Sequence, residues 1–442
     1  MPTFTFKGGV HPPQRKDITR DKEIQSLPVP DVVYLFMTNH VGAPAKPIVK
    51  VGDFVKTGQL IGEAANGISA NVHSSVTGEV VGIESVINAS TGRRDQAIVV
   101  KRTSEDQWEY LSHDKDFKKF SKEEIIQIVK DGGVVGLGGA MFPTHIKMIV
   151  PNNKVVDYLI INGAECEPYI TIDDRMMREK ADEIIKGIEI LDYVLDPKKI
   201  FIGIENNKPE AIEIIRNNVR NNAKIKLVPL QTKYPQGAEK QLITAITKRE
   251  VPEGGLPIDV GTLVFNVSTI YAIYDAVVNG KPLVERGITI SGSGVKRPGN
   301  YWFRIGTTVA DLLKYVGIVE EDKIDRILYG GPMMGIPISS IDLPTFKGNN
   351  AITVLTKEEI LKRRTYPCIR CASCVEVCPM GLQPYYLKKL SDARRNDLAE
   401  ENGILSCIEC GACSYICPSN IDLSRSFQTT KKVIQAIQKR RG

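Results

Sequence analysis

The chain has 442 residues, of which 42% are hydrophobic and 25% charged, and its formal net charge is +6. That is an ordinary globular composition, long enough for several cores, and the modest positive charge admits anionic cofactors, small acidic electron carriers or a membrane surface without implying nucleic acid. Nowhere do about 18 apolar residues run uninterrupted, which excludes an ordinary membrane span. Eight of the nine cysteines lie between positions 368 and 417, the usage of a reducing compartment rather than of a disulfide framework. The opening residues MPTFTFKGGVHPP lack a basic stretch followed by an apolar one, so no signal peptide is expected.

Residues 1–30, rich in Pro and charge (His11-Pro12-Pro13, Pro28, Pro30), read as an extended arm. From Val32 to about Lys101 short β-branched runs alternate with glycines, as in IVKVGDFVKTGQLIGEA and ANVHSSVTGEVVGIE, which predicts strands. Residues 31–115 resemble the barrel-sandwich fold of biotinyl and lipoyl carrier domains. At the matching hairpin tip, however, stand Ala65-Asn66-Gly67-Ile68, a predicted type I′ turn with no lysine amine to carry an acyl group.

Residues 116–280 alternate helix and strand. Ser121 and Glu124 form a predicted capping box ahead of Ile125, Ile126 and Val129, with Gly132-Gly133 as the stop. Strands are expected at Tyr158–Ile161, Ile200–Ile204, Ile225–Leu230 and Leu263–Val267, and helices at Lys180–Tyr193 and Pro209–Arg220. This order predicts an open α/β sheet with ligand loops at the strand C-termini. Within it, Gly136-Leu137-Gly138-Gly139-Ala140-Met141-Phe142-Pro143-Thr144-His145-Ile146-Lys147 offers glycines whose backbone N–H groups can approach a phosphate, with a lysine one helical turn away. Taken alone, such a loop is equally a plain tight turn.

The pattern G-x-G-G-A-x-F-P-T-x-x-K resembles the flavin and NADH loop of the flavoprotein subunit of respiratory complex I. Three further segments match that family in order: Asn162-Gly163-Ala164-Glu165-Cys166-Glu167-Pro168, Tyr234-Pro235-Gln236-Gly237-Ala238-Glu239-Lys240 and Phe265-Asn266-Val267-Ser268-Thr269. The resemblance implies a Rossmann-like FMN/NADH-binding α/β domain. In it Gly136, Gly138, Gly139, Lys147, Asn162, Glu165, Gly237, Asn266 and Thr269 surround FMN, Phe142 stacks on NADH, and Glu167 and Glu239 reach its ribose or nicotinamide side. Two positions depart from the family: Leu137 replaces its basic residue and Ala164 one of its acids, so the phosphate and ring contacts there must differ. Glu165 and Glu167 beside the ring would disfavour an anionic reduced flavin; the alternative is a solvated acidic loop. Cys166 reads as a small buried residue.

Residues 281–350, with Ile288–Tyr301 as a hairpin and Thr308–Leu313 as a helix, resemble the soluble-ligand-binding β-grasp (SLBB) domain, expected here as a bridge between flavin and clusters. Residues 351–425 carry Cys368-x-x-Cys371-x-x-Cys374-x-x-x-Cys378-Pro379 and its repeat Cys407-x-x-Cys410-x-x-Cys413-x-x-x-Cys417-Pro418. This is the bacterial two-cluster ferredoxin spacing, in which the fourth cysteine of each run serves the other cluster. It predicts one 4Fe-4S centre on Cys368, Cys371, Cys374 and Cys417 and a second on Cys407, Cys410, Cys413 and Cys378; zinc offers no reason for a third cysteine followed by C-P. The basic tail 426–442 is expected to be a solvated helix end, with anionic lipid or a partner as the alternative.

The whole order, with Gly8-Gly9-Val10-His11-Pro12-Pro13 in the arm, resembles the RnfC family of the Rnf electron-transport complex. The resemblance implies a peripheral subunit on the cytoplasmic side of the cell membrane, exchanging electrons between NAD(H) and a ferredoxin-like subunit or soluble ferredoxin through FMN and two 4Fe-4S clusters. Membrane subunits of the same complex would couple that flow to ion translocation. Two alternatives stay open: a flavin and iron–sulfur protein like the microcompartment cobalamin reductase, and an electron relay with a degenerate nucleotide site.

Overall fold

A computed structural model describes residues 3–112, 114–360 and 364–441. Of the expected segments, the first two residues of the arm, His113, residues 361–363 and Gly442 lie outside the described residues.

The N-terminal β region forms two facing sheets. One is antiparallel, ordered Val32–Phe36, Arg93–Arg102, Gly78–Asn88, Phe54–Val55; the other joins Lys46–Pro47, Leu60–Glu63 and Val72–His73. Val33, Leu35, Val55, Ile61, Val72, Val80, Ile98 and Val100 fill the space between them, as alternation along half-buried strands requires. The predicted type I′ turn is corrected. Gly67 has φ +84°, but Asn66 is not in the left-handed region, and the link from Ala64 to Asn71 between the paired strands is too long for a two-residue hairpin.

The middle region is a four-stranded parallel sheet ordered Ile225–Leu230, Lys199–Glu205, Tyr158–Gly163, Thr262–Asn266. Its strands are near-continuous apolar runs because both faces are covered by helices, among them Ala181–Leu195, Pro209–Val219, Glu239–Thr247 and Val267–Asn279. The Ser121/Glu124 capping box is present at the head of the helix Lys122–Asp131, which ends at Gly132.

The β-grasp sheet has six strands, ordered Ile24–Ser26, Gly299–Arg304, Glu285–Ser291, Ala351–Thr356, Ile324–Tyr329, Ile336–Pro337. Thr308 caps its helix Val309–Val316 by accepting from the Asp311 N–H. The arm thus supplies an edge strand, and Ala351–Thr356 sits in the interior of this sheet, past the expected boundary at residue 350.

In the cysteine-rich module the helices Pro384–Asp392, Asn396–Glu401 and Ser424–Arg441 close around Leu387, Leu390, Ala399, Ile404, Leu423, Phe427 and Ile434. The expected separate tail is therefore part of a helix that packs into this module through Phe427 and Ile434.

Candidate functional site

The parallel sheet brings four sequence segments to its C-terminal end, where open α/β sheets bind ligands. Asn162 and Asn266 are direct neighbours across paired strands. The Asn266 side chain accepts from the Ser268 and Thr269 N–H groups and starts the helix Val267–Asn279, while the Asn162 amide donates to the Gly237 carbonyl at 2.8 Å. Gly237 approaches so closely that a Cβ would stand 3.4 Å from Ala164 Cβ and 3.5 Å from Cys166 Sγ.

Gly136 and Phe142 close the glycine loop through the bonds Gly136 N–H to Phe142 O and Met141 N–H to Gly136 O. Gly138, Gly139 and Ala140 stay exposed at its tip. Gly139 takes φ +117° with open space where a side chain would be, and a Cβ on Gly138 would press to 3.2 Å from Asn266 Cβ. The tip thus presents bare backbone beside Asn266 and Thr269, which fits a flat ring and phosphate.

Both loops of this site have their carbonyls tied from behind by buried cations. Lys208 donates to the Ala164 carbonyl at 2.7 Å and pairs with the fully buried Glu205 at 3.2 Å. Lys16, from the arm, donates to the carbonyls of Glu165, Glu167 and Ile170. Behind the glycine loop, Arg286 donates to the carbonyls of Lys347 at 2.5 Å and Leu137 at 3.3 Å, and Lys347 to those of Gly133 at 2.7 Å and Asn71 at 2.9 Å. The Leu137 N–H is fixed in turn by the Thr269 hydroxyl at 2.8 Å. A carbonyl held rearward turns the neighbouring N–H groups outward. Burial pushes the Lys347 ammonium down to about 7 and the Arg286 guanidinium down to about 10.

Three expected ligand contacts are engaged differently. The Glu165 carboxylate, 3% exposed, receives the Asp173 and Asp174 N–H groups at the head of the helix Ile172–Glu179 and lies 3.8 Å from Lys16. Burial raises Glu165 and lowers Lys16, each partner's charge pulling the other back. The Glu167 Oε1 receives the Met333 and Met334 N–H groups at 2.6 and 3.2 Å; burial pushes its carboxyl up to about 7 against those bonds. Neither is a solvated loop residue. Lys147, expected as a free cation, pairs with Glu239 at 2.6 Å. Phe142 is half-buried beside the loop. Cys166 accepts the Gly237 N–H at 3.3 Å, and burial pushes its thiol up to about 12, which keeps it protonated.

The cysteines fall into two groups, each mixing the two runs. Cys368, Cys371, Cys374 and Cys417 line a cavity of about 180 Å³ together with Tyr385, Pro418 and Leu423. Cys378 lies instead within electrostatic reach of Cys407, Cys410 and Cys413. Among the described residues no three Cys, His, Asp or Glu side chains converge on a point that one ion could occupy; four thiols around a cavity suit a polynuclear cluster better than zinc. The two runs also repeat their backbone: Arg370 and Glu409 (both φ +58°), Ala372 (+63°) and Gly411 (+76°), Gly381 (+67°) and Asn420 (+52°) are left-handed in register. Left-handed residues within a tight turn aim successive N–H groups inward, the nest geometry of iron–sulfur and phosphate sites. Burial pushes Cys410 up to about 11 and Cys413 up to about 12, so thiolates there require adjacent cationic iron.

The second group adjoins the flavin-type fold. The Tyr234 hydroxyl donates to the Cys410 carbonyl at 2.7 Å, Gln241 reaches the Pro379 carbonyl at 3.3 Å, and the arm inserts Gly9, whose N–H binds the Val377 carbonyl at 2.8 Å. The first group faces outward: Cys368 and Cys371 are exposed, and Ile369 between them is 68% exposed. Sequence reasoning missed Lys16, Tyr234, Arg286 and Lys347 as site-shaping residues. Each acts on a backbone group far away in sequence, and no local spacing marks it.

Comparison with known proteins agrees with this layout. Residues 4–105 match the family model described as RnfC barrel sandwich hybrid domain, 129–275 the Nuo51 FMN-binding domain, 288–337 the SLBB domain and 367–421 the 4Fe-4S dicluster domain. The RnfC-type component of the proton-translocating ferredoxin:NAD+ oxidoreductase complex of Clostridium ljungdahlii is 44% identical over 90% of this chain and 86% of its own. Its counterpart in the Na+-translocating ferredoxin:NAD+ oxidoreductase complex of Acetobacterium woodii is 40% identical over 99% and 98%. Among solved structures, an NAD+-reducing NiFe-hydrogenase in the H2-reduced state aligns with TM-score 0.50 and 18% identity over 74% of this chain and 63% of that one, a likeness of fold.

Proposed function

From the premise that the chain belongs to the RnfC family of ion-translocating oxidoreductase complexes, we propose that it is the NAD(H)-linked oxidoreductase subunit of a membrane-bound complex. It carries electrons between NAD(H) and ferredoxin-type carriers through FMN and two 4Fe-4S clusters, and partner subunits link that flow to ion translocation. No helix among the described residues is long and apolar enough to cross a membrane, which supports a peripheral position; we place it on the cytoplasmic face, where NAD(H) is found.

A bound flavin accepts the hydride as an electron pair and yields single electrons to iron–sulfur clusters. The chain's own residues supply the holding and the order. Gly136, Gly138, Gly139, Asn162, Gly237, Asn266 and Thr269 would hold FMN, Phe142 would cover the nicotinamide side, and the Lys147–Glu239 pair would sit at the nucleotide's approach. Cys378, Cys407, Cys410 and Cys413 would hold the cluster on the flavin side. Cys368, Cys371, Cys374 and Cys417 would hold the outward one, where a partner can reach it. Glu165 and Glu167 shape this site by fixing backbone rather than by touching ligand.

The single observation that carries this reading is the Tyr234–Cys410 bond, which seats the loop of Gly237 directly on the second cysteine run. Anaerobic purification followed by NADH titration tests it. About eight iron atoms per chain, bound FMN and bleaching by NADH are expected; eight irons with no flavin uptake and no bleaching would reduce the chain to a relay.

A further inference from the structure

The glycine loop lacks a basic residue at its second position, where Leu137 is buried and holds no charge. The fold nevertheless places two cations immediately behind the loop. Arg286 and Lys347 are 2% and 1% exposed, both come from the β-grasp region, and between them they bind the carbonyls of Gly133 and Leu137 at the two ends of the loop's first half. They differ from the two cations behind the acidic loop. Lys208 and Lys16 stand beside the carboxylates of Glu205 and Glu165, whereas among the described residues neither Arg286 nor Lys347 has a carboxylate within ion-pair distance; Arg286 feels Asp173 only at longer range. Around Lys347 the His73 Nδ1 and Asn39 Nδ2 atoms are buried without partners, and burial lowers His73 to about 3, so that neighbour adds no compensating charge.

A buried charge without a counter-charge is costly. It persists where a ligand of opposite sign repays it or where its hydrogen bonds impose a needed shape. Here both hold for an anionic ligand at the front: the tied-back carbonyls turn the loop's N–H groups forward, and the uncompensated positive potential lies behind them in a low-dielectric interior. We propose that Arg286 and Lys347 are the cationic backing of the glycine loop, supplying from the β-grasp region the positive charge that Leu137 does not, toward the phosphate of a flavin nucleotide. They are positioning residues, acting through the loop. The β-grasp region is then part of the nucleotide site and not merely a bridge.

This inference rests on the flavin reading above, and the test separates the two. The full chain, stripped of flavin with its iron content verified, is titrated with FMN and with riboflavin, which has the same ring but no phosphate. Arg286→Met and Lys347→Met should each weaken FMN roughly tenfold or more while changing riboflavin affinity by less than about threefold, and Arg286→Lys, which keeps the charge, should stay within about threefold of wild type for both. Unchanged FMN affinity in both Met variants, or equal losses of FMN and riboflavin, would overturn the proposal and leave these residues as plain supports. If either Met variant fails to fold or to retain iron, Arg286→Lys decides: FMN binding weakened tenfold despite the retained charge also overturns it. A wild-type chain that binds neither flavin sinks the flavin reading itself.

Discussion

Lys147 and Glu239, drawn from two motifs 92 residues apart, form an ion pair at 2.6 Å at the edge of the glycine loop. Both side chains are partly solvated, at 26% and 41% exposure, so the pair contributes at most about 1 kcal/mol to stability. Its importance is placement. Lys147 also stands 5.3 Å over the Phe265 ring, next to Asn266.

Replacing Lys147 by Ala should therefore leave the melting temperature nearly unchanged and iron intact, while raising KM for NADH roughly tenfold. Steady-state NADH oxidation with an artificial one-electron acceptor, paired with iron analysis, measures both. Equal loss of iron and of activity would mean that Lys147 supports the fold rather than the site.

The cysteine grouping makes opposite predictions for the fourth residue of each run. Cys378→Ser should abolish the buried centre of Cys407, Cys410 and Cys413 and spare the outward one; Cys417→Ser should do the reverse. Each should lower iron from about eight to about four atoms. Low-temperature EPR of dithionite-reduced protein distinguishes which signal survives, and two variants with the same surviving signal would contradict the grouping.

Tyr234 has its ring buried and its hydroxyl on the Cys410 carbonyl. Phenylalanine fills the same space but leaves that carbonyl unsatisfied, at a cost of about 1 kcal/mol. Tyr234→Phe should still assemble both clusters, melt a few degrees lower, and show slower cluster reduction after NADH mixing in anaerobic stopped flow. Wild-type stability together with a wild-type reduction rate would show that this bond does not matter to the junction.

Glu167 predicts a pH dependence with a definite sign. Its carboxyl is raised to about 7 in the fold from an ordinary value of 4.5, so between these values the folded chain holds a proton that the unfolded chain has released. Its contribution to stability is accordingly full below about pH 4.5 and lost as pH rises toward 7. The upper bound on that loss is about 3 kcal/mol. Glu167→Gln, which can still accept from Met333, should gain on wild type as pH increases through that window, read from urea unfolding at pH 5 and pH 7.5. A difference independent of pH would show that the carboxylate is stabilised in place.

Much of the molecule was legible along the chain because it depends on neighbours a few residues apart. Cysteine spacing, the Ser121 capping box, the apolar strand runs and the four glycine- and asparagine-bearing segments are local patterns, and the chain folds them into loops, caps and parallel strands with little room for another outcome. What the amino-acid order did not disclose is where the polar side chains of those segments aim. Glu165 turns into the head of a helix, Glu167 binds the backbone of Met333 and Met334, and Lys147 meets Glu239. The Ala351–Thr356 strand joins the β-grasp sheet, and the supposed tail becomes a packed helix. Most distant of all, Arg286 and Lys347 come to lie behind a loop whose carbonyls stand 149 and 214 positions earlier in the chain. Periodicity and spacing carry only the chemistry of near neighbours. Which buried cation answers which carbonyl is decided when separate domains close on one another, since only then is water removed and each polar group compelled to find its partner.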